Sequence, residues 1–175
     1  MHVLVTGCGG FLGSEIVRQL LDRGDYVTGV SRGLYPDLVD RGMTHRQGDL
    51  TQADFVRKAV RDVDAVIHTA AVAGVWGPWD HFYSINKLAT DHVIQACQDH
   101  GIRTLIFSSS PSVTFDGDHQ SGVDESVPYA SRWLCHYPHT KALAEQAVLS
   151  ANEPGQLVTA ALRPHLIWGE DDPHI

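Results

Sequence analysis

Tyr137-Pro138-His139-Thr140-Lys141 sets a phenol and an ammonium four positions apart. On a helix that spacing puts both on one face, where they can act on a single reacting pair. A tyrosine with its ordinary pKa of about 10 is a poor proton carrier near neutrality. Bringing it to working pH takes on the order of 4 kcal/mol of preferential phenolate stabilisation, which a lysine charge and a helix N-terminus can share. Pro138 disfavours helical geometry in Tyr137 and is comfortable only in a first helical turn. Tyr137 is therefore expected at a helix boundary, with Lys141 one turn further in. Upstream, Phe107-Ser108-Ser109-Ser110-Pro111-Ser112-Val113 follows a strand-like run. A hydroxyl there can hydrogen-bond a substrate carbonyl; Ser110 is the first choice and Ser112 the fallback, against the plainer reading of a polar turn.

A second chemical feature is Thr6-Gly7-Cys8-Gly9-Gly10-Phe11-Leu12-Gly13, set between a strand-like segment and an amphipathic helix. Glycines 7, 10 and 13 form G-x-x-G-x-x-G. That spacing serves a tight turn, close approach of backbone to a pyrophosphate, and close helix–strand packing. Free N–H groups and the positive dipole end of the following helix face the phosphates. Alone the triplet is only a βα turn; in this position it reads as dinucleotide binding. The second strand-like run ends in Val30-Ser31-Arg32, without the carboxylate that usually binds the adenosine ribose of NAD. Ser31 and Arg32 suit a 2′-phosphate, because a guanidinium holds phosphate through two parallel hydrogen bonds. NADP is the expected cofactor, with NAD as the alternative if Arg32 only faces solvent.

The elements that must position these groups alternate. Strands are expected at His2 to Thr6, Tyr26 to Val30, Thr44 to Gln47, Ala65 to Thr69, Thr104 to Ser108 and Val158 to Arg163. Helices are expected over Leu12–Arg23, Gln52–Val60, His81–His100 and Thr140–Ala151, with Thr51 and Asp54 resembling a cap for the second. The alternation implies an α/β fold: a doubly wound parallel sheet of the Rossmann type, in three α/β/α layers with strand order 3-2-1-4-5-6. The helices 81–100 and 140–151 carry more apolar surface than one stripe. A homodimer interface and packing on each other and the sheet are both open readings.

Composition narrows the class. The 175 residues fit one domain, with 43% hydrophobic and 19% charged residues. A net charge of −8 argues against nucleic acid or an anionic membrane surface as partner. No apolar run approaches the ~18–20 residues of a membrane span, and the N-terminus enters a strand at once without the pattern of a secretory signal. Cys8, Cys97 and Cys135 form no disulfide framework, so a cytoplasmic location is expected. Cys135, His136 and His139 match no common zinc spacing, and no metal is expected. His68 is read as a core residue.

With these motifs in place, the sequence resembles the extended short-chain dehydrogenase/reductase superfamily over essentially its whole length. Gly48-Asp49-Leu50, Val66-Ile67-His68-Thr69-Ala70-Ala71, Asn86 and Leu162-Arg163-Pro164 add to the likeness. The resemblance implies that Ser110, Tyr137 and Lys141 are the catalytic set. It places Asp49 and Leu50 at adenine, Ala70 and Ala71 where backbone approaches cofactor, and Pro164 and Ile167 beside the nicotinamide. Phe11, Leu12, Asn86 and Ser108 join the cofactor-binding set, as do Tyr137 and Lys141. Within the superfamily the chain is similar to the 3β-hydroxysteroid dehydrogenase-like branch, and there to reductases that convert a 2-alkyl-3-ketoalkanoate to the 3-hydroxy acid in bacterial olefin synthesis. This likeness rests on Ser31 to Leu38, Ala73-Gly74-Val75-Trp76-Gly77, Pro111 to Thr114, Ala144 to Leu149 and Leu162 to Gly169.

The resemblance implies NAD(P)H-dependent reduction of a ketone, of the 3-keto acid or 3-ketosteroid type, to a secondary alcohol. Tyr137 would give the proton, Lys141 would bind the nicotinamide ribose and lower the tyrosine pKa, and Ser110 would orient the carbonyl. The loop Val75 to Trp79 is read either as lying near the substrate entrance or as covering the core edge. A nucleotide-sugar epimerase or dehydratase is the alternative enzyme. Pro111-Ser112 stands where dehydratases of the superfamily carry Asp-Glu, and Arg32 points to exchangeable NADPH instead of retained NAD. A non-catalytic cofactor-sensing protein is a third reading, opposed by the complete Ser–Tyr–Lys set. Extended members continue well past the R-P segment, so residues 1–175 are expected to be the NAD(P)-binding domain without the family's C-terminal substrate domain. Such a chain would bind cofactor better than it turns over substrate and would expose apolar surface on the missing side.

Overall fold

Hydrophobic residues on alternate positions of the central strands feed two separate cores, one on each face of a sheet. On β1 (His2–Thr6), Leu4 joins a cluster with Val30, Val66, Val93, Leu105 and Phe107, while Val3 and Val5 join Val17, Leu20, Val27, Leu38 and Met43. A strand buried on both faces must be covered on both faces, which is the condition for a three-layer α/β/α sandwich. Each such side chain contributes about 1.5–3 kcal/mol when fully buried. In the computed structural model, which describes residues 1–169 and 172, six parallel strands follow the order β3-β2-β1-β4-β5-β6. Glu170 and Asp171 of the chain's last segment lie outside the described residues.

The other strands are β2 (Tyr26–Ser31), β3 (Thr44–Gln47), β4 (Ala65–His68), β5 (Thr104–Ser108) and β6 (Val158–Leu162). They match the expected positions to within a residue. The chain reverses its direction of winding between β1 and β4, so the crevice beyond their carboxyl ends is the switch point where ligands bind in this architecture. β6 forms one edge, with Val158 and Leu162 about half exposed at 52% and 57%.

The helices are α1 (Phe11–Asp22), α2 (Pro36–Asp40), α3 (Ala53–Ala59), α4 (Trp79–Phe82), α5 (Ala89–Asp99) and α6 (His136–Ser150). Four details differ from expectation, the first being α2, where no helix was expected. α3 starts after Gln52 with no side-chain cap; the Thr51 amide instead donates to Asp49 Oδ1, so Thr51 belongs to the preceding turn. The expected helix over 81–100 is interrupted by a π-helical segment, Tyr83–Leu88, joining α4 to α5. The extra residue per turn rotates the buried face, which accounts for its breadth. α6 begins at His136, earlier than expected, so Tyr137 and Pro138 both fall in its first turn, where a proline needs no N–H partner.

Candidate active site

The glycine-rich turn is built by contact. Gly7 donates to the Val30 carbonyl at 2.8 Å and accepts from Gly10 N at 2.9 Å, tying the turn to the end of β2. Its φ of +67° lies in the left-handed region, and an added Cβ would stand 2.9 Å from Ala70 backbone atoms. A Cβ on Gly13 would lie 2.1 Å from the Gly7 carbonyl oxygen. Both positions therefore exclude any side chain, and α1 begins pressed against the turn. A cavity of about 390 Å³ opens beside it, lined by Gly7, Gly10, Ser31, Arg32, Asp49, Leu50, Ala70 and Ala71 among others. On the other side of Gly9 and Gly10 a groove of about 820 Å³ runs between Phe11, Leu12 and the segment Ile167–Gly169. The first hollow meets the glycine backbone at a helix N-terminus, an arrangement suited to the phosphates of a dinucleotide; Ser110, Tyr137 and Lys141 line neither hollow.

At the carboxyl end of β5 the catalytic candidates meet. Ser110 leads a short 3₁₀ turn (Pro111–Val113); its Oγ accepts from Ser112 N at 3.2 Å and lies 2.8 Å from Ser112 Oγ. Burial raises the Tyr137 pKa above its usual value, and a hydrogen bond with Ser110 acts in the opposite direction. Lys141, expected to bind the nicotinamide ribose and to lower the tyrosine pKa, here turns its ammonium to the end of β5. Its side chain is 2% exposed, Nζ donates to the Ser108 carbonyl at 2.5 Å, and it stands 4.0 Å from the Phe107 ring centroid. Burial pulls its pKa down to about 7, against the opposing pull of Glu145.

Asn86 also differs from its expected cofactor contact. It is 1% exposed, with Nδ2 donating to the Val72 carbonyl and Thr140 Oγ1 at 3.0 Å each and Oδ1 accepting from Val72 N at 2.8 Å. Every polar atom of the amide is committed, so it braces the loop after β4 against the start of α6. The π-helical segment supplies the rotation that aims it there.

His68 sits in the core as expected, yet it is polar-bonded on both nitrogens. Thr90 Oγ1 donates to the Asn86 carbonyl, so it must accept from His68 Nε2, leaving Nδ1 to accept from Thr6 Oγ1 at 2.6 Å. Burial and the nearby Lys141 push its pKa down to about 3, and the ring stays neutral. Thr6 in turn accepts from Ala70 N at 3.3 Å. The glycine turn, the loop after β4 and the start of α6 are thereby one hydrogen-bonded unit.

Sequence reasoning missed a second buried cluster. Glu145 is 1% exposed and accepts from Ser109 Oγ, from Tyr129 Oη at 3.0 Å, and from Arg163 Nε and Nη2 at 3.1 and 2.6 Å. Burial opposes its charge, but the bonds from Arg163, Ser109 and Tyr129 outweigh that and hold its pKa low. The i+4 spacing from Lys141 and the arginine ahead of Pro164 were the available signals. The cluster fixes Arg163 and hence the Pro164–Ile167 segment. At the start of α4, Trp79 packs against Tyr83, His136 and His139, which fits the reading of a cover over the core edge; Trp76, in the loop before it, is 90% exposed.

The fold and its glycine turn define a Rossmann-type dinucleotide-binding domain. The chain matches the 3-beta hydroxysteroid dehydrogenase/isomerase family over residues 4–175, and it belongs to that family. It is 47% identical over 180 residues to the 2-alkyl-3-oxoalkanoate reductase of Shewanella oneidensis, covering 99% of this chain and 46% of that protein. The 2-alkyl-3-oxoalkanoate reductase of Stenotrophomonas maltophilia is 46% identical, over 100% of this chain and 53% of its own. Among solved structures, MoeE5 in complex with UDP-glucose and NAD superposes with a TM-score of 0.81 at 31% identity, covering 93% of this chain and 54% of that one. The Thermus thermophilus UDP-glucose 4-epimerase complex with NAD gives a TM-score of 0.80 at 29% identity, covering 93% and 54%. The chain spans about half the length of the curated relatives it matches. No helix among the described residues is long and apolar enough to cross a membrane.

Proposed function

We propose that this chain is the cofactor-binding and catalytic half of an NADPH-dependent reductase acting on the ketone of a 2-alkyl-3-keto acid or related 3-keto substrate. The observation that carries the reading is the glycine turn, whose packing leaves no room for side chains, set across the switch point from the carboxyl end of β5, where Ser110 leads a 3₁₀ turn and Tyr137 lies in the first turn of α6. Gly7, Gly10 and Gly13 would seat the pyrophosphate, with Asp49, Leu50, Ala70 and Ala71 around the adenosine half and Phe11, Leu12, Ser108, Pro164 and Ile167 toward the nicotinamide. When bound, NADPH supplies the hydride for the ketone carbon. Ser110 Oγ–H donates to the ketone oxygen and orients it, and Tyr137 Oη delivers the proton to that oxygen as charge develops there.

Lys141 acts from behind the site. Its ammonium at the Ser108 carbonyl holds the β5 terminus, and its charge favours phenolate at Tyr137 once substrate and cofactor exclude water. Ser31 and Arg32, with no carboxylate at the end of β2, support NADP over NAD. The names of the two relatives favour the keto acid over the nucleotide sugars of the structural neighbours. We further propose that the half of the relatives beyond this chain supplies the substrate-enclosing part. The sheet edge at β6 and the exposed Leu166 and Trp168, at 76% and 71%, support that reading. A homodimer through 81–100 and 140–151 is supported by exposed Leu88 and Leu149, and a cytoplasmic location by three free cysteines. The test follows NADPH oxidation at 340 nm with 2-alkyl-3-keto acids and with UDP-glucose. Turnover of the keto acid and not of UDP-glucose, slow in residues 1–175 and abolished by Tyr137→Phe, is expected; interconversion of UDP-sugars with bound NAD would replace the reading with epimerisation.

A further inference from the structure

The corner where β2 ends is braced by side chains that the proposed reaction does not use. Ser31 Oγ has one proton and two lone pairs. It donates to the Gly33 carbonyl at 3.0 Å and lies 2.7 Å from His45 Nε2 on the neighbouring strand β3. With its proton spent on Gly33, the hydroxyl must accept from His45, so Nε2 carries a hydrogen. Tyr35 stands edge-on to that imidazole, with ring centroids 6.4 Å apart at 86°. The Tyr35 ring in turn lies flat on the glycine turn: a Cβ on Gly9 would come within 1.8 Å of its Cζ. Gln47, two residues beyond His45, donates to the Arg32 carbonyl at 2.8 Å. β3 thus grips both Ser31 and Arg32 from behind. Of the residues lining the adjoining cavity, Arg32 and Asp49 alone carry charge, and the Asp49 carboxylate already accepts from Thr51 N.

Resting on the reading of NADP as cofactor, we propose that His45 is a specificity-determining positioning residue for the adenosine 2′-phosphate. By donating to the back of Ser31 Oγ, the imidazole takes one of its lone pairs and leaves the hydroxyl proton to an acceptor on the cavity side; the buried Cys8 thiol also lies against this hydroxyl. Exposed Gly33 fills that role in the free protein and can turn to water when a phosphate arrives. The phosphate then receives the Ser31 proton beside the Arg32 guanidinium. His45 makes no contact with the cofactor itself; its effect passes through Ser31.

Calorimetric titration with adenosine 2′,5′-bisphosphate and with 5′-AMP tests this, since the pair differs only in the 2′-phosphate. Wild type should prefer the bisphosphate, and Arg32→Ala should lose that preference by about tenfold to a hundredfold, the range for a charged hydrogen bond. His45→Ala should weaken bisphosphate binding by about threefold to tenfold while leaving 5′-AMP binding intact, and His45→Gln, which keeps a donor, should restore part of it. Ser31→Ala should match His45→Ala, with no further loss in the double variant. Equal loss of both nucleotides in both His45 variants, no loss in either, or additive loss in the double variant would overturn the role of His45 while leaving NADP intact. A wild type that does not distinguish the nucleotides would overturn the NADP reading and this inference with it.

Discussion

Replacing Lys141 with methionine should stabilise the fold while removing activity, because the ammonium is held in a place that suits catalysis better than folding. Burial lowers its pKa from 10.5 to about 7. At about 1.36 kcal/mol per pKa unit, the cost of charging it is on the order of 5 kcal/mol as an upper limit. The direction of the pH dependence follows. Between about pH 7 and 10.5 the unfolded chain binds a proton that the folded chain does not, so wild-type stability attributable to this group rises with pH across that window. Below pH 7 both states are charged and the penalty is fully present. Methionine removes the penalty but leaves the Ser108 carbonyl without its donor, costing about 1–3 kcal/mol. A net gain of roughly 2 kcal/mol remains at pH 6.5–7, or roughly 4–8 °C in Tm for a chain of this size. Thermal unfolding of both proteins at pH 6.5, 8 and 9.5 reads it directly. The Tm difference should be largest at pH 6.5 and shrink toward zero or reverse by pH 9.5. A Lys141→Met protein less stable than wild type at pH 6.5, or a difference that does not change with pH, would refute the reasoning.

Gly13→Ala would place a methyl 2.1 Å from the Gly7 carbonyl, so the turn must move. Nucleotide affinity should fall by more than about tenfold, for a lost preorganised phosphate seat, while circular dichroism stays native. Glu145→Gln leaves Arg163 without its buried partner and should cost about 3–5 kcal/mol in a denaturant melt. The carboxyl is held low in the fold, so its contribution is present above the unfolded range near pH 4.3 and is lost as pH falls through the folded value; wild type and variant should converge in acid. Tyr137→Phe should lower kcat by about 10²–10⁴-fold with little change in NADPH affinity, measured by stopped-flow and calorimetry.

The strands were legible because both-face burial writes continuous apolar runs, as in Val3-Leu4-Val5, and the glycine turn because no other residue fits Gly7 or Gly13. The places of Ser110 and Tyr137 in the fold were legible as well: one follows a strand end, and the other lies in the first turn of a helix, where Pro138 is tolerated. What the sequence hid depends on three-dimensional pairing. Nothing local says that Asn86 spends its amide on Val72, since that requires a π-helical rotation invisible in a 3.6-residue pattern. Nor does spacing reveal that Lys141 turns to Ser108, or that Glu145 gathers Ser109, Tyr129 and Arg163 from three separate segments. The contact of His45 with Ser31 at the β2 terminus likewise arises from β3 lying alongside β2, a long-range fact.

A crystal structure of the protein grown with NADPH addresses the central claim most directly. Electron density is expected for a dinucleotide draped over residues 7–13, its adenosine 2′-phosphate at Ser31 and Arg32, and its nicotinamide within reach of the Tyr137 hydroxyl. Clear density running the other way, or an empty switch point at saturating NADPH with the site free of lattice contacts, would contradict it.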